Sequence, residues 1–155
     1  MAYKTVVTAK AREKIREILE KVAKEKGDIS LAMLVQTLPE VPDRWTLVVS
    51  APWADSKGTR PVISYLSSHL RNLDRNSLSA IDRISVREST DPAVQDFVKM
   101  LDEFLGVDVS EHESGYHMWD SVIAGWNIPE GYIFVADPNA NGKTARVKHA
   151  QRAIH

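Results

Sequence analysis

Between positions 8 and 26, Ala11, Ile15, Ile18, Leu19 and Val22 recur at helical spacing, and Lys, Arg and Glu fill most of the other positions. That period predicts an α-helix with one buried stripe, with Thr8 as its N-cap and Gly27 as its stop. The period then changes. Residues 29–38 are apolar on both alternating faces, with Ile29, Leu31, Met33 and Val35 on one and Ala32 and Leu34 on the other. This predicts an interior strand covered on both sides. Residues 39–43 have turn chemistry and residues 44–51 alternate again, so the two strands are expected to form a hairpin with a five-residue loop.

A polar loop over 52–60 leads to Pro61, which can open a second helix with Val62, Leu66, Leu70 and Leu73 as its stripe. Residues 74–79 break the pattern, and a short strand is expected over 84–87. The most regular helix follows Thr90, Asp91 and Pro92: Val94, Phe97, Val98, Leu101, Phe104 and Leu105 hold the spacing until Gly106 ends it. Residues 107–121 are polar and mixed and give no assignment. Residues 122–126 and 132–136 predict a closing hairpin around 127–131. The order α-β-β-α-β-α-β-β predicts an α+β fold, a mixed five-stranded sheet with about three helices over it. Residues 1–137 read as one domain, and 138–155 as a basic tail that is either frayed or a short helix.

Composition narrows the chemistry. The absence of cysteine in 155 residues excludes disulfides, thiolate metal sites and a Cys nucleophile. No stretch approaches the ~20 apolar residues of a membrane span, and the start has no apolar run of signal-peptide length, so a soluble cytoplasmic protein is expected. A net charge of −1 hides strong sorting. Residues 1–87 carry fifteen Lys/Arg and ten Asp/Glu, residues 88–137 one Lys and eleven acids, and residues 138–155 four bases and no acid. Opposite blocks can pair within the molecule, between copies, or with a partner.

Candidate sites are few. His112, Glu113, His117 and Asp120 are metal-ligand types close in sequence, but the histidines are five apart rather than the four of a zincin helix, and Gly115 interrupts them. Should they converge, His112, His117 and Asp120 would be ligands and Glu113 the general base of a metal-dependent hydrolase. Lys57, Thr59 and Arg60 stand in a strand–loop–helix connection, a geometry that favours small anions, without the glycines of a phosphate loop. No G-x-S-x-G elbow supports Ser50, Ser56 or Ser64 as a nucleophile. Trp45 and Trp126 fit the core, whereas Trp53, Tyr116 and Trp119 fall outside the periodic segments and are candidates to line one binding groove. The basic first helix and tail raise a nucleic-acid accessory role, weakened by the absence of interleaved aromatics. The expectation is a binding domain without a cofactor, acting as a homo-oligomer or on a protein partner or small anionic ligand, with no membrane partner, nucleic acid disfavoured, and an enzyme the less favoured class.

Overall fold

The Thr8 hydroxyl accepts a hydrogen bond from the Ala11 backbone N–H (3.2 Å), and Gly27 ends the helix at a φ of 131°, which only glycine adopts freely. Between them runs α1 (Ala9–Lys26), burying Ala11, Ile15, Ile18, Leu19 and Val22, the stripe its spacing predicted. This computed structural model describes residues 7–36, 44–105 and 113–140, without the side chains of 104 and 105.

Strands β1 (Leu31–Gln36) and β2 (Trp45–Ser50) pair antiparallel from Leu31↔Ser50 to Val35↔Thr46, and every residue of both is buried. Their connecting loop lies outside the described residues. A 3-10 turn (Pro52–Ala54) leads into α2 (Thr59–Leu70), α3 (Arg75–Ala80) and β3 (Ile81–Arg87), which runs parallel to β2. Helix α4 (Pro92–Met100) continues as a π-helical turn (Leu101–Leu105), and β4 (Tyr116–Ile123) and β5 (Trp126–Ala136) close the fold. The sheet order is β3-β2-β1-β5-β4. The fold is α+β, with four α-helices among the described residues and a mixed five-stranded sheet between helical layers. On one face Ala32, Leu34, Leu47 and Val49 pack with α1 and α2, and on the other Leu31, Met33, Val35 and Val48 pack with Val94, Phe97, Val98 and Leu101.

Three expectations need correction. Residues 74–79 are not a break: the Asp74 carboxylate accepts from the Ser77 backbone N–H (3.1 Å) and caps α3, a helix too short for an apolar period to register. The previously unassigned stretch contains β4, and the last hairpin turns at Ala124-Gly125, not over 127–131. Both turn residues have positive φ (50° and 83°), as a type I′ turn requires, yet Ala124 is not a residue that advertises one. The Asn, Pro and Gly of 127–131 lie within β5 instead. Pro129 is tolerated because the described pairing with β1 stops at Glu130, and opposite it Asp120, at φ 46°, interrupts the β4 ladder. The tail, beyond Ala140, lies outside the described residues.

Ala124→Asn should stabilise the protein by about 0.5–1 kcal/mol, since Asn tolerates the left-handed region that Ala resists. Phe97→Ala, at a fully buried position, should cost about 3–5 kcal/mol. Urea unfolding midpoints read both changes.

Candidate functional site

Alternation along β4 sorts its side chains between the two faces. Tyr116 and Met118 pack toward α4, so His117 and Trp119 face the other way, onto the side that carries α1. Past the irregular backbone at Asp120, Ile123 turns toward α4 along with Trp126 and Ile128 of β5. Val122 and its partner Asn127 are thereby left on the same face as Trp119. The Trp126 indole N–H donates to the Ala93 carbonyl (3.1 Å) and its ring packs 5.1 Å from Phe97, which clamps the hairpin tip against α4.

Among the described residues no helix covers the opposite face of the hairpin. Helix α1 reaches only as far as Tyr132, where the Arg12 guanidinium lies 4.0 Å from the ring centre and donates from Nε to the Ser114 carbonyl (2.9 Å). Arg12 also donates to the Val7 carbonyl. Beyond Tyr132 the surface is open, with Trp119 61% and Val122 73% exposed. An aromatic row crosses the sheet here: Trp45 lies 5.8 Å from Tyr132, Tyr132 stacks on His117 at 4.6 Å, and His117 lies 5.0 Å from Trp119. His117 Nε2 is 3.2 Å from a Glu130 carboxylate oxygen, fixing the imidazole between the two rings. Gly115 makes room for the row, since a Cβ there would stand 3.1 Å from that of Tyr132 and 3.0 Å from the Phe134 ring. Glu130, bonded to His117 and opposite Trp119, puts a carboxylate on this surface, and residues 113–140 contain no Lys or Arg.

The structure separates the three candidate groove aromatics. Trp119 is open, Tyr116 faces the α4 core, and Trp53 packs edge-on against Tyr65 (6.1 Å) at the α1–α2 layer with its indole nitrogen buried and unpartnered. Lys57, Thr59 and Arg60 are exposed around Gly58, at the start of α2, where no side chain caps the helix. The cavity beside them is only about 80 Å³, and the carboxylates of Asp55 and Glu88 share its wall with Arg87. His112 lies outside the described residues, Glu113 is an exposed turn residue, His117 is engaged by Glu130, and Asp120 is exposed. Among the described residues no group of three or more His, Asp or Glu is placed to hold a metal. Arg12, Val122, Glu130 and Tyr132 were missed. Alternation of His117 and Trp119 against Tyr116 and Met118 was the available signal, obscured because residues 107–121 gave no assignment.

A second polar cluster joins α1 to α2. The Tyr65 hydroxyl donates to Glu25 (2.6 Å), and His69 Nε2 lies 3.8 Å from the same carboxylate. Tyr65's hydrogen bond, with smaller help from His69, Lys21 and Lys26, holds the Glu25 carboxyl below its usual range. Burial, then the bond to Glu25, pushes the Tyr65 phenol up. A carboxyl with a depressed folded-state pKa stabilises the fold above its unfolded value, and that contribution is lost as pH falls through the folded value. Acidification from neutral to about pH 3 should therefore lower the urea midpoint less in Tyr65→Phe than in the parent protein, and equal slopes would reject the linkage. Compared with protein-family models, with curated proteins and with solved structures, the chain gives no match.

Proposed function

We propose that this chain is an interaction module that associates with a second copy of itself through the uncovered face of the β4–β5 hairpin. The observation that carries this reading is the exposure of both Trp119 and Val122 on one sheet face (61% and 73%). Burying such an aromatic in a desolvated contact typically contributes more than the polar rim around it.

Charge favours a second copy as the occupant. The hairpin face carries Glu130, and the hairpin as a whole has Glu113 and Asp120 exposed and no Lys or Arg. The other edge of the sheet, β3, carries the exposed Arg83 and adjoins the exposed Arg71 and Arg75, offset by Asp74 and Asp82, while Arg87 is engaged by Asp91 (3.0 Å) and the Trp126 ring. One molecule thus carries an acidic aromatic surface and a more basic edge of the kind that complements it. Asp120 makes simple edge-to-edge strand pairing a poor mode, because its positive φ interrupts the β4 ladder. Side chains rather than backbone would therefore make the contact.

Light scattering over a concentration series tests this. The expected mass exceeds the 17.4 kDa of one chain and declines as salt rises. Trp119→Ser should weaken association by roughly thirtyfold, equivalent to about 2 kcal/mol, and Val122→Asp should act in the same direction. A mass of one chain at every concentration, or association that survives both changes, overturns the proposal.

A further inference from the structure

The backbone leaves the adjacent parallel strands β2 and β3 in opposite directions. After β2 it passes through α2 on the α1 side, and after β3 it enters α4 on the other. Divergence of this kind at the carboxyl ends of neighbouring parallel strands opens a crevice, and ligands of open α/β sheets bind in such crevices. Here the two loops are tied together, with Asp55 accepting from the Ser89 backbone N–H (3.0 Å) and from its hydroxyl. On the α4 side a cleft of about 460 Å³ lies beneath them, a size that suits a small organic molecule. Val94, Val98 and Pro52 give it an apolar lining, and Ser89 and Thr90 supply polar groups at the rim.

The sign of the ligand follows from the charges. Among the described residues of the lining Lys99 is the one cation, against the carboxylates of Asp102, Glu103 and Asp137. The positive end of α4 offers nothing to an anion, because Asp91 already accepts there from the Ala93 backbone N–H (2.9 Å) and pairs with Arg87 (3.0 Å). Asp102 and Glu103 belong to the π-helical turn that extends α4 along the cleft, and such turns recur at functional sites. We infer that this cleft binds a small organic cation, an amine or guanidine on a compact apolar body. The carboxylates of Asp102 and Glu103 would receive the charge, with Val94 and Val98 against the body, while Asp137 already accepts from the Asn139 backbone N–H (2.9 Å). This site is separate from the hairpin face and does not depend on self-association.

Three probes of the same shape test it: tyramine, neutral 4-ethylphenol and anionic 3-(4-hydroxyphenyl)propionate, with agmatine as a guanidine. Amide chemical shifts and calorimetry should show tyramine or agmatine moving the resonances of Ser89, Val94 and Val98 at millimolar concentration, in the parent and in Trp119→Ser alike. The anion should leave them in place. Asp102→Asn with Glu103→Gln, both at exposed positions, should weaken the amine roughly tenfold, and Lys99→Gln should tighten it. Equal or better binding of the anion, no response of the cleft to either cation, or indifference to both sets of substitutions overturns the inference.

Discussion

Strand β1 is hydrogen-bonded to β2 along one edge and to β5 along the other, and all six of its side chains are buried, so the remaining elements are positioned around it. Leu31, Met33 and Val35 point to α4 while Ala32 and Leu34 point to α1 and α2. Each fully buried aliphatic side chain of this kind contributes about 1.5–3 kcal/mol from burial alone. Slipping the register by one residue would move the larger set into a space shaped for the smaller. The two helical layers therefore meet the sheet in one arrangement.

Helical cover runs out at the far edge of that sheet. On the α4 side the Trp126 indole locks the hairpin tip to Ala93, and Phe97 fills the space behind it. On the other side α1 ends its cover at Tyr132, with Arg12 laid over the ring. His117, Trp119 and Val122 lie beyond its reach, so Trp119 and Val122 stay exposed beside the His117–Glu130 pair, with no described element over them. An exposed patch of this composition is costly to keep unless something covers it, which is why self-association is the function proposed for it.

The same crossing of the chain from one side of the sheet to the other produces the cleft. Helix α4 has to carry the chain from β3 at one edge to β4 at the opposite edge, and it does so beneath the loops that follow β2 and β5. The Asp55–Ser89 bonds tie the loop after β2 to the loop between β3 and α4 at one wall of this crevice. Fold, open face and crevice are thus consequences of one topology rather than three separate features.

Local patterning was enough for α1 with its Thr8 cap and Gly27 stop, for β1 and β2 as an antiparallel pair, and for the start of α4 and its buried Val94, Phe97, Val98 and Leu101, because each depends on periodicity or on a cap within a few residues; the side chains of Phe104 and Leu105 and the expected stop at Gly106 lie outside the described residues. It also led to the fold class. It misplaced the last hairpin, since Asn127, Pro129 and Gly131 carry turn chemistry while Ala124 does not, and only pairing with β1 and β4 decides that the former lie in a strand. The site was legible in part. Trp119 stood out as a candidate contact residue by its type and setting, and the structure leaves it exposed, but its neighbours His117, Tyr132, Glu130 and Arg12 come from three separate elements. Sequence determined which residues are apolar, charged or able to cap; tertiary structure alone decided which apolar residues were left uncovered. That depends on where α1 ends over the sheet and on a change of facing at Asp120, both of them long-range facts.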